Sequence, residues 1–391
     1  MSASLVPSSA ESLPVVCGSP FPSCDRAWIT IDPAALIHNF KQLETVLAPP
    51  TQILAVVKAD AYGHGAVTVA RTVVAQGAAA LGVATLAEGI ALRQANLTVP
   101  IVILGAIHNP EQIQALSQWQ LQPTLCSPEQ ARCFSQHLTA PLPVHLKIDT
   151  GMSRLGPLWL QGSEFIKLVH SLPNLDIASV YSHLATADDP DPSFMVIQQQ
   201  RFEQVIQHAH LAGISIPRLH LANSAGALSG QPFHYDWVRI GLALYGLYPS
   251  PQFHSILNLQ PVMQVKARVT QLKAVPAGTG VSYGHTYVTP HPMTLAVVAI
   301  GYADGVPRRL SNQISVLIRG QRVPQVGIIT MDQLMVDVSD LAQVKVGDEV
   351  TLLGQDRDQS ISADDWAAQL GTISYEIVCN FKPRLPRIVL G

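Results

Sequence analysis

The sequence is short of charge. Asp, Glu, Lys and Arg make up 13% of its 391 residues, roughly half the share of an ordinary soluble chain. The charge it does carry nearly balances: 24 basic residues against 27 acidic, for a net of −3. Nucleic-acid binders show a basic excess or patch, so that class is excluded. Long apolar runs are also missing. The longest, 294–300, is strand-sized, and a bilayer-spanning helix needs about 18 apolar residues or more, so no membrane segment is expected. Cysteine is sparse and irregular: Cys17, Cys24, Cys126, Cys133 and Cys379, an odd count with no CxxC pair. That excludes a disulfide framework and argues against a structural zinc site. A reducing, cytoplasmic setting fits this usage, and no metal is expected.

What is present is apolar material. Hydrophobic residues reach 48%, enough for a large core and too many for a disordered chain. One core rarely grows past roughly 250–300 residues, so this length suggests two domains. Residues 1–25 stand apart, rich in Ser and Pro. They lack the basic start and apolar block of a secretory signal and are expected to be a flexible extension.

From residue 52 onward, short apolar runs alternate with helical segments. The runs at 53–58, 81–84, 101–104, 121–125, 144–149, 175–182, 218–221 and 237–241 are eight candidate strands. Continuous apolar strands joined by helices imply parallel strands covered on both faces. Eight such units in about 190 residues point to a closed (β/α)8 barrel of the TIM type. Near residue 255 the texture changes to β-branched runs separated by Gly and Pro, at 262–275, 293–301, 314–318, 335–338 and 349–353, with 363–370 as the one clearly helical stretch. The expected architecture is therefore α/β: an extension at 1–25, a barrel at 26–250 and a mainly β domain at 251–391.

Lys58 closes the first apolar run, in AVVKADAYGHG (55–65). On a barrel this puts its amine at the C-terminal mouth, where barrel active sites lie. A lysine there can form a Schiff base with a carbonyl substrate or with pyridoxal phosphate. By position alone, a solvated lysine at a strand end is the commoner arrangement.

AVVKADAYGHG resembles the cofactor-lysine segment of the alanine racemases, a pyridoxal-phosphate family. Eight further segments resemble the family in its order: KIDTGMSRLG (147–156), YSHLATAD (181–188), HLANSAG (220–226), RIGLALYG (239–246), GVSYGHTY (280–287), IGYADGVPR (300–308), GIITMDQLMVDV (327–338) and ISYEI (373–377). One such match is weak; nine in order are specific. The resemblance implies a barrel followed by a β domain, pyridoxal 5'-phosphate as cofactor, and a homodimer whose sites draw residues from both chains. It implies interconversion of L- and D-alanine, supplying D-alanine for peptidoglycan.

The resemblance also implies roles. Racemisation takes the Cα proton from one face and returns one to the other, so it needs two bases. Lys58 resembles the residue that holds the resting cofactor and then serves the D-amino-acid proton. Tyr283 resembles the opposite base, serving the L-amino-acid proton. An ordinary phenol, with a pKa near 10, is a poor base at neutral pH, and nearby cations would lower that value. His183 and Arg239 resemble a network beside this base and the cofactor. Arg239 resembles the arginine facing the pyridine nitrogen; a guanidinium only donates and would leave that nitrogen unprotonated. Ser224, after Asn223, resembles the phosphate hydroxyl. Gly241 supplies a backbone N–H, and Tyr62 and Tyr375 match tyrosines near the phosphate. Arg154 resembles the contact to the substrate carboxylate, with Met331 as the second contact and Asp332 following it. Lys147 resembles a position that carries a carbamate in some relatives. Tyr302 resembles an aromatic narrowing the substrate entrance. Thr330 departs from the family, which commonly has cysteine before the methionine. A broader amino-acid or serine racemase is the alternative on the same scaffold. A barrel decarboxylase fits the segments less well, and a non-catalytic cofactor carrier would have no use for the second domain.

Overall fold

The computed structural model describes residues 26–391, and the extension expected at 1–25 lies outside the described residues. The chain enters through β1 (Ala27–Ile31) and a helix at Pro33–Val46, started by Asp32, whose Oδ1 accepts from the amides of Ala34 (2.8 Å) and Ala35 (3.2 Å). Eight parallel strands follow and close on themselves: β2 (Gln52–Val56), β3 (Ala80–Val83), β4 (Ile101–Ala106), β5 (Gln122–Leu125), β6 (Leu142–Lys147), β7 (Leu175–Tyr181), β8 (Leu219–His220) and β9 (Trp237–Ile240). Strand β9 pairs back onto β2, with Ile53 opposite Val238. These are the eight expected strands. They read as apolar runs because helices cover their outer faces while their own side chains fill the barrel.

The second domain is built on β10 (Met263–Val275), whose thirteen residues pair with three other strands of a nine-stranded sheet. The structure departs at one point from a simple 26–250 and 251–391 partition. Strand β1 runs antiparallel to β10 and parallel to the last strand, Arg387–Val389. The chain's first strand therefore belongs to the C-terminal sheet, and one continuous apolar core joins barrel and sheet. The expectation of a single helix in this domain also needs correction. A short helix at Ser374–Cys379 follows Ala363–Leu370 and packs on the turn after β2. A Cβ on Gly63 would stand 2.5 Å from the Val378 carbonyl oxygen, and Gly63 itself adopts φ +81°. Only glycine meets both conditions.

The barrel interior holds polar residues in an ordered chain. Arg239 donates to Nδ1 of His220 (3.0 Å), which leaves His220 Nε2–H to donate to Ser179 Oγ (2.8 Å). Ser179 then donates to Nδ1 of His145 (2.6 Å), whose Nε2–H reaches Gln122 Oε1 (2.9 Å). Burial holds the rings neutral: His145 drops to about 3, and His64, near the barrel mouth, to about 4. Both values lie below the ordinary 6.5, so the unfolded chain takes up protons that the folded chain refuses. Stability is thus full above pH 6.5 and declines as the pH falls toward 4. At about 1.4 kcal/mol per pKa unit, the protonation of His64 on unfolding removes up to about 3.5 kcal/mol of stability once the pH has fallen to 4. Denaturant unfolding measured from pH 8 to pH 4 should show this decline; a flat profile would refute it.

Candidate active site

At the C-terminal mouth of the barrel lies a cavity of about 680 Å³. Every strand end but that of β5 supplies part of its wall, as expected at the C-terminal face of a barrel. Lys58 follows β2. The next four residues, Ala59 to Tyr62, all adopt φ of +53° or +54°, a left-handed turn that costs L-residues roughly 1–2 kcal/mol each. Local bonds hold it. Glu88 Oε1 accepts from the Ala59 amide (2.7 Å), and Nδ1–H of His64 donates to the carbonyls of Ala61 and Tyr62 (2.9 Å each). The carboxylate of Glu88 also accepts from Thr85 N (3.1 Å), closing the capping box of the Leu86–Gln94 helix. The turn delivers the Lys58 amine into the cavity. Burial, then the nearby Arg154, pushes its pKa below the usual lysine value, and Glu88 partly opposes them.

The cavity is cationic. Lys58, Lys147, Arg154 and Arg239 line it, against Asp188 as its one carboxylate among the described residues. Arg239 is buried in the barrel with no acidic partner among the described residues. Its Nη2 donates to the Ser182 and Leu221 carbonyls (2.6 and 2.8 Å) and to Nδ1 of His183 (3.1 Å). Burial lowers it only to about 10, so it keeps its charge at neutral pH. His183 is driven well below the ordinary histidine value by burial and then by Arg239. Lys147 ends β6, lies 4.9 Å over the Tyr181 ring, and is likewise depressed by burial, Arg239 and Arg154. Arg154 stands exposed at the rim.

An anion cradle lies opposite. Ser224 Oγ accepts from the amides of Gly241 (3.0 Å) and Ala243 (3.5 Å), leaving its O–H to donate outward. Asn223 lines the cavity, but its side chain is committed locally: Oδ1 accepts from Gly226 N (2.9 Å), capping the short helix Ser224–Leu228. Tyr62 closes against Gly241 so tightly that a Cβ there would lie 2.5 Å from the Tyr62 hydroxyl oxygen. Tyr375 brings a second phenol, its ring 6.0 Å from that of Tyr62; burial pushes its pKa up to about 12.

Within one chain the remaining residues sit elsewhere. Tyr283, Met331 and Tyr302 are 70%, 52% and 40% exposed and do not line the cavity. They do belong together. Ser282 Oγ donates to the Ile328 carbonyl (2.7 Å), tying the Tyr283 turn to the loop of Met331. The Tyr302 amide donates to the Thr330 carbonyl (3.0 Å). Asp304, fully buried, anchors that loop with Arg26 (2.6 Å) and Arg384 (3.0 Å). Asp332 is paired with Arg384 at 2.8 Å. Several cavity residues carry no assignment from the sequence: Tyr181, Met152, Asp188 and Cys379, together with Glu88 behind the turn. Tyr181 and Asp188 stand at the two ends of YSHLATAD and Met152 lies within KIDTGMSRLG, whereas Cys379 and Glu88 fall in none of the nine segments.

Comparison with known proteins decides the family. Residues 31–249 match the alanine racemase N-terminal domain and residues 262–389 the alanine racemase C-terminal domain. This chain belongs to the alanine racemase family. A relative named alanine racemase from a Nostoc species is 61% identical, covering 93% of this chain and 95% of its own. Another from a Synechocystis species is 58% identical over 93% of this chain and 99% of its own. Among solved structures, the Bacillus anthracis alanine racemase with bound L-Ala-P superposes with a TM-score of 0.89 at 35% identity, covering 95% of this chain and 96% of that one. These matches run through both domains, so the family's barrel and β domain are both present. No helix among the described residues is long and apolar enough to cross a membrane.

Proposed function

We propose that this chain interconverts L-alanine and D-alanine with pyridoxal 5'-phosphate, in a cytoplasmic homodimer that supplies D-alanine for peptidoglycan. The observation that carries the reading is the basic lining of the cavity: two arginines and two lysines converge where a doubly anionic phosphate and a substrate carboxylate would both have to be held. The donor set fits the cofactor. The Ser224 hydroxyl and the Tyr62 and Tyr375 phenols suit the phosphate, and the Gly241 amide orients the Ser224 hydroxyl by donating to its Oγ. Arg239 offers only N–H donors and favours an unprotonated ring nitrogen. When bound, the cofactor acidifies the substrate Cα–H by delocalising the electron pair left behind.

The residues do the rest. With its pKa lowered by burial, Lys58 spends more of its time as the free amine, which is the form that can attack a carbonyl or take a proton. Arg154 presents a fork of donors to the substrate carboxylate. Lys147, depressed between two arginines, is the kind of amine that adds carbon dioxide; as a carbamate it would replace repulsion of Arg154 with a brace. Tyr283 serves the opposite face of the substrate, with Met331 and Tyr302 beside it, and all three reach the cavity only from a second copy of the chain. Asp332 stays with its arginine and leaves the substrate contact to Met331.

The test is turnover of L-alanine with added cofactor in deuterated water, run beside a panel of amino acids. A racemase loses optical rotation and gains deuterium at Cα in both enantiomers. Full cofactor absorbance without either change would mean a carrier, and equal rates on serine a broader racemase. A further outcome concerns the cradle. Gly241→Ala would drive a methyl into the Tyr62 hydroxyl, so cofactor affinity should fall by about tenfold or more. Equilibrium titration of the apo-protein checks it; unchanged affinity would remove Gly241 from the phosphate site.

A further inference from the structure

Behind the active-site cavity, on the far side of Tyr62 and Tyr245, lies a second cavity of about 290 Å³ between the barrel and the C-terminal sheet. Its walls are largely apolar, with Met263, Leu353, Ile361 and Val378 among them, and no Asp, Glu, Lys or Arg among the described residues lines it. Two buried polar atoms on its wall have no hydrogen-bond partner, Nε2 of His64 and Oε1 of Gln264. Both are acceptors. The Nδ1 of His64 faces two carbonyls, 2.9 Å away each, so it carries the ring proton, and Nε2 of the neutral ring presents a lone pair. Buried acceptors without partners are rare and costly, and finding two in one cavity asks for a donor.

We propose that this cavity is a binding site for a small neutral molecule with a hydroxyl or N–H donor on an apolar body, about the size of phenol or somewhat larger. The size follows from the volume: an engineered apolar cavity of about 150 Å³ takes benzene, and this one is roughly twice as large. Neutrality follows from the uncharged wall. The donor follows from the two acceptors. Water could pair with them but would leave the apolar wall unfilled, since water is held only where several polar groups converge. The ring of Tyr245, 4.5 Å from His64 and 4.9 Å from Tyr62, separates this ligand from the cofactor cavity, so the two should be occupied together.

The probe is phenol, with toluene as the control that matches its shape but lacks the donor. Calorimetric titration of the cofactor-loaded protein should show phenol binding at least about tenfold more tightly than toluene, because the phenol O–H pairs one of the two acceptors and toluene pairs neither. Cofactor absorbance should stay unchanged. Gln264→Met, which keeps the chain length and removes one acceptor, should weaken phenol by a similar factor where the bound oxygen lies on Gln264 Oε1, and leave its affinity unchanged where the oxygen lies on His64 Nε2. A soaked crystal of the unaltered protein provides the measurement that does not depend on the variant folding: the phenol oxygen should lie within about 3.2 Å of His64 Nε2 or Gln264 Oε1. Equal affinity for toluene, release of cofactor by phenol, or a soaked cavity holding only water would each overturn the proposal.

Discussion

Replacing Lys58 with alanine is expected to abolish the visible absorbance of bound cofactor and alanine racemisation together. The cavity offers two amines, and they are not equivalent. Lys58 sits on a left-handed turn stabilised by Glu88 and His64 and aimed inward. Lys147 is almost fully buried against the Tyr181 ring between two arginines, where attaching a bulky carbonyl partner would require displacing that packing. Loss of one positioned base alone costs about 10²–10⁴ in rate, and Lys58 is proposed as both anchor and base, so activity should fall below that of any other single variant. Lys58→Arg should behave almost as badly, since a guanidinium keeps its proton and does not attack carbonyls. Absorbance and deuterium exchange measured on the same samples check this. Retention of both in Lys58→Ala would transfer the role to Lys147.

The barrel was legible because its physics is local. A parallel strand covered on both faces is mostly apolar, so β2 to β4 stand out as near-continuous runs, while β5 to β9 are interrupted by the interior chain of Gln122, His145, Ser179, His220 and Arg239. Strand β1 did not stand out, because AWITI earns its place through partners far along the chain: Ala27 pairs with Ala267, and Ile29 with Arg387. The strand Gln321–Val326 was missed for a related reason. Its pattern, with Arg322 and Pro324 exposed and Val323 buried, carries too little apolar content to announce itself.

The site was legible as segments but not as geometry. The four successive positive φ angles after Lys58 fall on Ala, Asp, Ala and Tyr, none of which prefers them. Glycine, the usual signal, appears only at Gly63 and Gly65. The turn is held by a carboxylate thirty residues downstream in a helix cap and by a histidine two residues beyond it, and neither partner has any mark in a linear string. Asn223 shows the converse. The sequence offers it to the cofactor, while the structure commits its side chain to the helix start at Gly226 and leaves the outward donor to Ser224.

Tyr283→Phe should retain cofactor absorbance and lose proton removal from L-alanine by about 10²–10⁴, with the D-alanine face less affected. The more decisive outcome comes from mixing this variant with Lys58→Ala. Within one chain Tyr283 is exposed on the C-terminal domain, bound through Ser282 to the Met331 loop and outside the cavity that Lys58 lines. A phenol acts as a base at neutral pH only where cations favour its phenolate, and the cations of this protein converge around Lys58. Both facts are met if a second chain seats Tyr283 against the first chain's cavity. Each mixed dimer then holds one site with both residues intact and one with neither. Random reassociation makes half the dimers mixed, so about a quarter of full activity should return. If Lys58 and Tyr283 worked within one chain, every site in the mixture would carry a lesion and no activity would reappear, so the recovered fraction measures how the site is shared.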